Sequence, residues 1–460
     1  GNSLGLDITD KTGLVSICYS VWFDAILGKS GGTVDNWHNI TEILAGNQQW
    51  GGSPSFHYWA KPALGYYSSS NKQVIRTHMT QLYTAGVDFI IIDLTNAGDN
   101  YLGSSAWTDY IQKPMDAIFE TIMEMRVEGL GTPYVVFWVG TNDGPLYQAL
   151  YDRYHAPEKW KDCFVYRDGK PFILHWNYKA SETERFVTRG MYGLQGKVRT
   201  GQWSYLEADN SLTVSYDTEG NPEHVGVSVA TQETYMSNVA TAHGRQGGRF
   251  WNSQWQTAFA VHPKIVTLTW WNEWCAQLFC VGGKYVFTDN FNQEFSRDIE
   301  PMKGGFGDNY LYQMAQRVRE YKGTRAVETA FGQWAIDIHG SVGQWYAVGP
   351  EYRDYEGDIT HRLSPGHVGG KEYGFYMNNS GRNDIVTAKV SNDTENLYFY
   401  VECADEITDP EGASWMNLFI NADCDDATGW YGFDYLINRN RTDSALLVER
   451  FVGTDTWAFE

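Results

Sequence analysis

From Leu14 to about Lys322 the chain alternates short apolar runs, rich in β-branched and aromatic residues, with stretches of helical periodicity. A strand that is apolar throughout needs cover on both faces, and helices between successive strands supply it. The alternation therefore confines this region to an α/β fold built on a parallel sheet. Eight runs read as strands: 15–22, 64–67, 89–93, 134–139, 172–176, 188–194, 225–230 and 266–271. Between the second and third, Val74, Ile75, His78, Met79 and Leu82 fall on one helical stripe that Gly86 closes. The spacing recurs in 108–128, through Ile111, Met115, Ile118, Phe119 and Ile122, and in 308–321, through Leu311, Met314, Ala315 and Val318. Eight strands with intervening helices over ~250 to 320 residues predict a (β/α)8 TIM barrel, whose chemistry lies at the carboxyl ends of the strands. A doubly wound open sheet is the alternative, but no Gly-rich phosphate loop follows any strand.

After Lys322 the texture changes. Runs at 335–338, 383–390, 396–402 and 415–420 alternate with Gly, Asn, Asp and Pro turns and carry no helix-length pattern. This predicts an all-β sandwich, and hence two domains, 1–328 and 329–460. A last strand is expected over 444–451, close enough to the end of the sequence that the sandwich is expected to be truncated or short of its final strands.

The charge balance narrows the partners. Lys+Arg 35 against Asp+Glu 56 gives −21, which repels phosphate backbones and anionic lipid surfaces, so neither nucleic acid nor membrane is an expected partner. No apolar run approaches the ~20 residues of a spanning helix. The start, Gly1-Asn-Ser-Leu-Gly5, has no signal pattern, and a secreted, periplasmic or cell-surface monomer is expected, with its export signal outside this sequence. The six cysteines are scattered without C-x-x-C spacing, and no bridge is expected between Cys275 and Cys280.

The chemistry concentrates where the eighth run ends, in Trp270-Trp271-Asn272-Glu273-Trp274. Indole faces stack on the C–H faces of sugar rings and exclude water, and a carboxyl placed among them has its charged form disfavoured, as a glycosidic general acid requires. The plainer alternative is a strand end packed by tryptophans, with Glu273 satisfying a backbone donor. Glycoside hydrolysis generally uses two carboxyl groups. Asp93 after Phe-Ile-Ile-Ile, Glu233 after the seventh run and Glu207 in Trp-Ser-Tyr-Leu-Glu are the candidate partners. Capping the following helix or satisfying loop amides is the alternative for Asp93, and loop structure the alternative for Glu207. Aromatic and amide groups at other strand ends match a sugar's apolar faces and hydroxyl edges: Tyr19, Trp22, Asn96, Trp138, Trp176, Asn177, Trp203, Gln232, His243 and Trp251, with Trp271, Asn272 and Trp274. The segment 279–307 reads as a long loop after the eighth strand, on the active face, and Arg297, Asp298 and Glu300 are expected to fasten it internally, with contact to substrate as the alternative. In the second domain Asp423, Asp425 and Asp426 admit two readings, a structural calcium held by oxygen ligands or an Asx-rich turn. No cofactor is required.

Two resemblances rest on these residues. Through Ala85-Gly-Val-Asp-Phe-Ile-Ile-Ile-Asp-Leu-Thr-Asn96 and Thr269-Trp-Trp-Asn-Glu-Trp274 the first region resembles secreted bacterial glycoside hydrolase-like proteins related to the endo-α-mannosidase and α-1,3-glucanase group. It looks closest to a branch that also carries Ser296-Arg-Asp-Ile-Glu-Pro301. In the endo-α-mannosidase pattern the Asn-Glu-Trp is followed, one residue on, by a second glutamate, whereas Ala276 stands here. Glu273 carries over and the second glutamate does not, which leaves the partner role to Asp93, Glu233 or Glu207. The tail, through Arg382-Asn-Asp-Ile-Val386 and Asp423-Cys-Asp-Asp-Ala-Thr-Gly-Trp-Tyr-Gly-Phe-Asp-Tyr435, is similar to carbohydrate-binding modules of the family-nine-like sandwich type. Together they imply a glycoside hydrolase acting on a polysaccharide. A non-catalytic glycan-binding protein with a degenerate site is the alternative, which Ala276 favours.

Overall fold

The computed structural model describes residues 5–24, 38–51, 55–140, 144–176, 184–193, 201–206, 212–232, 236–237, 242–288, 290, 292–323, 330, 333–354, 362–368, 371–378, 380–410, 415–425, 427–442, 445–453 and 458–460. The chain forms two compact units, one of Gly1–Ala326 with Thr360–Asn379 and one of Val327–Ile359 with Ser380–Glu460. Among the described residues no helix is long and apolar enough to cross a membrane.

The first unit is a mixed α/β structure around a large, mainly parallel sheet. Its eight principal strands are β1 (Leu14–Tyr19), β2 (Phe89–Leu94), β3 (Tyr134–Val139), β4 (Lys170–His175), β5 (Val187–Gly193), β6 (Gln202–Leu206), β7 (Pro222–Ser228) and β8 (Ile265–Thr269). Parallel ladders join β1 through β6 in sequence order, and β7 pairs with β8, which pairs back with β1. Side chains of β1 alternate: Val15, Ile17 and Tyr19 enter the layer beneath the helices, while Leu14 and Cys18 join Phe89, Ile91, Val136, Leu174, Met191, Tyr205 and Ile265 in a second buried cluster. One cluster fed by nearly every strand means that the sheet curls until its inner faces meet. The ends of the curl abut, because a methyl group on Gly226 of β7 would lie 2.3 Å from the Ser204 carbonyl oxygen of β6. No backbone ladder joins β6 to β7 among the described residues, so the expected barrel is not closed by hydrogen bonds.

One expected strand is absent and an unexpected one takes its place. Residues 64–67 do not pair as a strand: a turn over 62–65, with the Gly65 N–H on the Pro62 carbonyl at 2.9 Å and Gly65 at φ 82°, breaks the extended run. β6 instead comes from Gln202–Leu206, where Trp203 and Tyr205 point into the inner cluster and polar residues alternate with them.

Helices α1 (Lys72–Thr84), α2 (Lys113–Val127), α3 (Arg249–Val261) and α4 (Asn309–Lys322) pack on the outer layer. Asn71 caps α1, its side chain accepting from the Gln73 and Val74 N–H groups at 3.0 and 3.3 Å. α3 is a correction to the sequence reading, since Trp251 and Trp255 face the buried layer from a helix rather than from a strand-end loop.

The segment after β8 is likewise not one long loop. Cys275–Val281 and Lys284–Thr288 form a hairpin across the two-residue turn Gly282-Gly283, with φ 59° and 76°. This hairpin pairs with Ser55–Tyr58 on one side and Met236–Ser237 on the other, making an auxiliary sheet of five strands with His38–Asn39 at its far edge. Cys275 and Cys280, at opposite ends of the first hairpin strand, are unbridged.

Among its described residues the second unit carries two antiparallel sheets of three strands each, Glu351–Arg353 with Ile385–Asn392 and Leu397–Cys403, and Leu418–Ile420 with Tyr435–Thr442 and Ala445–Arg450. Ile336, Trp345 and Val348 form a small core with Tyr398 and Tyr400. The strand expected at 335–338 is not formed, because the Asp337 carboxylate accepts the His339 N–H at 3.0 Å and turns the chain there.

Candidate functional site

The carboxyl ends of β1, β2, β3 and β8 bring Cys18, Asp93, Trp138 and the Trp270–Trp274 cluster to one end of the curled sheet. β-Ladder register sets Asp93 beside Trp138. The Cys18 thiol reports what surrounds it. Burial pushes it well above the ordinary thiol range, the charges of Asp93 and Glu273 push it further, and Arg297 and a Thr269 hydrogen bond pull the other way. Asp93 and Glu273 thus act on the same thiol from β2 and from the end of β8. Asp93 is half-buried, its Oδ1 accepting the Thr95 N–H at 2.8 Å while its carbonyl accepts from the Tyr110 hydroxyl at 2.9 Å.

Around them stands a group of aromatic rings. Trp138 and Trp176 lie stacked at 6.2 Å with planes 9° apart, and Tyr205 meets Trp138 and Trp270 edge-on at 4.9 and 5.8 Å. Trp176 is the half-exposed member, whereas Trp138, Tyr205 and Trp270 are buried. Such a ring set offers apolar faces to a sugar, and its low polarity strengthens any charge interaction beside it.

Glu273 is buried and engaged. Its Oε2 lies 2.7 Å from Arg297 Nη2 and 3.4 Å from Asn290 Nδ2. The Asn290 amide also donates to the Glu273 carbonyl, and the Glu273 N–H donates to the Asp298 carboxylate. Asp298 accepts a second hydrogen bond, from Trp59 Nε1 at 2.5 Å. Burial pushes Asp298 up to about 7, against the lowering pull of the Trp59 indole and the nearby Arg245 charge. The Trp59 ring in turn stacks on Trp274, at 4.6 Å and 12°.

A second buried network lies behind the cluster. Glu300 accepts from the Tyr67 hydroxyl at 2.6 Å and from Trp274 Nε1 at 2.5 Å, and pairs with His78 Nε2 at 3.0 Å. His78 Nδ1 meets the Tyr19 hydroxyl at 2.8 Å. Asn272 bridges Ser20 through both ends of its amide, at 2.8 and 3.1 Å.

The expected sugar-contacting residues therefore separate. Trp138 and Trp176 stand with Asp93 and Glu273 at the strand ends. Tyr19, Trp251 and Trp271 belong to the layer between strands and helices, and Trp274 and Asn272 are wholly buried in the two networks. Trp203 sits near the start of β6, stacked at 4.2 Å on His224 with its Nε1 on Glu223 at 3.0 Å, at the opposite end of the strands. Asn96 is exposed beside Tyr110, and Trp22 is half-buried with its ring edge-on to Phe56 at 5.8 Å. Glu207, Glu233, Asn177 and Asp426 lie outside the described residues, as do the side chains of Gln232 and His243. Asp423 accepts from the Asp425 N–H and Asp425 from the Ala427 N–H, each at 2.9 Å, which are Asx-turn contacts, and Asp423 also accepts from the Thr428 hydroxyl at 2.8 Å. Among the described residues no group of three His, Cys, Asp or Glu side chains is placed to hold a metal ion.

Tyr205 and Cys18 are residues of this site that the sequence does not single out. The alternation of Trp203 and Tyr205 with polar neighbours was the available signal for β6, and it would have placed Tyr205 on the inner face.

No family model and no curated protein matches the chain. Among solved structures it is similar to a GH99 endo-alpha-mannosidase from Bacteroides thetaiotaomicron, at 15% identity and a TM-score of 0.44 over 68% of this chain and 99% of that one. The same enzyme in complex with BIS-TRIS-propane gives 14% and 0.41, over 67% of this chain and 97% of that one. A glycoside hydrolase-like protein gives 13% and 0.41, over 69% of this chain and 97% of that one. With TM-scores below 0.5, these likenesses bear on neither the reaction nor the substrate of this chain.

Proposed function

We propose that the chain is a glycoside hydrolase acting on a polysaccharide or glycan, with Glu273 and Asp93 as its two carboxyl groups. In this reading the curled sheet is a (β/α)8-type barrel spanning residues 1–328, and residues 329–460 are a sugar-binding sandwich. The observation that carries it is the placement of Asp93 in register with Trp138 near the carboxyl end of β2, and of Glu273 just past the carboxyl end of β8, on the end of the sheet where Trp138 stacks on the half-exposed Trp176. Two carboxyl groups next to apolar rings are what cleavage of a glycosidic bond needs: one protonates the leaving oxygen, and the other meets the charge that develops at the anomeric carbon.

The test is a panel of polysaccharides assayed for released reducing ends with wild type, Glu273→Gln and Asp93→Asn. Turnover of at least one glycan is expected, lost in both variants while their folds persist. Full activity in Glu273→Gln removes that residue from the mechanism. A second reading, a non-catalytic glycan-binding protein, is favoured by one specific observation: Glu273 is 4% exposed and tied to Arg297. It predicts glycan binding without hydrolysis in the wild-type protein.

A further inference from the structure

Glu273 is gripped from two sides by one short segment. The Trp270 N–H donates to the Arg297 carbonyl at 2.9 Å, the Ile299 N–H to the Trp270 carbonyl at 3.0 Å and the Glu300 N–H to the Trp271 carbonyl at 3.0 Å. These bonds lay residues 297–300 along the end of β8. They put the Arg297 guanidinium on the Glu273 carboxylate and the Asp298 carboxylate on its N–H.

The backbone that carries Arg297 is itself fixed. The Arg297 N–H donates to Asn290 Oδ1 at 3.1 Å, and Asn290 also contacts Glu273. From the start of α3's approach, the buried Arg245 donates to the Ser296 carbonyl at 3.1 Å, the Ser296 hydroxyl at 2.6 Å and the Asp298 carbonyl at 2.8 Å. Phe306 and Tyr310 rings pack over the Arg245 guanidinium at 5.2 and 4.5 Å. The guanidinium that meets Glu273 is therefore held at its root, which lowers the entropy lost in forming the pair.

Charge follows from this geometry. A carboxyl that donates a proton has to be neutral at rest, whereas a guanidinium 2.7 Å away favours the ionised form. With side chains 1% and 5% exposed, water screens that attraction little. Asp298, the neighbouring carboxyl pushed upward by burial, accepts from Trp59 Nε1 with one oxygen and from the Glu273 N–H with the other, so its carboxyl fastens the segment to the end of β8.

We propose that Arg297 is the positioning residue of this site: it holds Glu273 ionised and aimed, so that Glu273 is the anionic member of the carboxylate pair and the other carboxyl carries the proton. The catalytic half of this inference rests on the hydrolase reading above, and the charge half does not.

The experiment has two arms. The first needs no turnover: side-chain carboxyl carbon NMR of the full chain, with the Glu273 signal assigned by its loss in Glu273→Gln, followed from pH 4 to pH 8. In wild type and Arg297→Lys the signal is expected to stay that of a carboxylate across the range, and in Arg297→Gln to titrate upward by ~1 unit or more. A wild-type Glu273 that takes up a proton near pH 6 overturns the proposal, and it does so whether or not Arg297→Gln folds. The second arm uses a glycan found to be hydrolysed. Arg297→Gln is expected to lower kcat with little change in KM and to move the acidic limb of the kcat profile upward, with partial recovery in Arg297→Lys. An unmoved limb overturns the positioning role. If no glycan is turned over, the hydrolase reading fails, and the NMR titration still decides the charge of Glu273.

Discussion

The Tyr67 hydroxyl donates to the Glu300 carboxylate at 2.6 Å, joining segments 233 residues apart in sequence. Tyr67 comes from the run just after the 62–65 turn, where a strand was expected, and Glu300 from the segment that flanks Glu273. Trp274 and His78 complete the shell of Glu300, so one buried carboxylate ties α1, that run and the end of β8 together.

Removing that carboxylate leaves three polar groups without their acceptor. Glu300→Ala is expected to cost ~3 kcal/mol or more, as breaking a buried pair from one side does. Glu300→Gln, which keeps the volume and one acceptor oxygen, is expected to cost less. Urea unfolding midpoints measure both, and an unchanged midpoint for Glu300→Ala contradicts the role assigned to this network.

Stability is expected to depend on pH through two opposing sets of groups. Burial lowers His155 and His224 to about 3 and His57 and His175 to about 4. Between those values and the ordinary 6.5 the unfolded chain binds more protons, so these histidines contribute stability above 6.5 that is lost as pH falls towards 4. Asp298 runs the other way: raised from 3.8 to about 7, it makes the folded state bind more protons between those values, so its share of stability falls as pH rises through that window. His155, set among Phe137, Phe164 and Phe186 with no hydrogen-bond partner for either ring nitrogen among the described residues, is the cleanest test. His155→Leu is expected to flatten the acid side of the profile and Asp298→Asn the decline towards neutrality. Unfolding midpoints from pH 4.5 to 8 read both, and parallel profiles for wild type and variants refute the assignment.

The seam between β6 and β7 has no room for a side chain at Gly226. Gly226→Ala places a methyl group against the Ser204 carbonyl and is expected to destabilise by ~1 to 3 kcal/mol, since backbone gives way less readily than a side chain. A midpoint equal to wild type shows that the two strands part without cost.

Trp176 is the half-exposed ring of the aromatic group at the strand ends. Trp176→Ala is expected to weaken glycan binding by about tenfold, equivalent to ~1.4 kcal/mol, with the unfolding midpoint little changed. Trp251→Phe, altered in the helix layer, is expected to leave affinity unchanged. Isothermal titration with a bound glycan distinguishes them, and equal affinities for wild type and Trp176→Ala remove Trp176 from the binding surface.

Much of the first unit was legible because its elements obey local rules. The apolar stripes of α1, α2 and α4 repeat at helical spacing, and seven of the eight principal strands are runs long and apolar enough to stand out. β6 was hidden because its polar positions interrupt a short run. The run 64–67 resembles a strand in composition, but the turn over 62–65, with Gly65 at positive φ, interrupts it. The hairpin after β8 was announced by Gly282-Gly283 between two β-type runs, a signal weaker than the length of the segment around it.

The sequence by itself determined that a parallel α/β sheet precedes a region of antiparallel strands, and that Asp93 and Glu273 fall at strand ends, because both facts follow from periodicity along the chain. Only the tertiary structure decided what each carboxylate meets. The identity of a through-space partner is not written in local spacing: Arg297 reaches Glu273 from 24 residues away, and Tyr67 reaches Glu300 from 233. Those partners, set by how the segment after the hairpin lies back along β8, turn a glutamate among indoles from the expected neutral acid into one half of a buried ion pair.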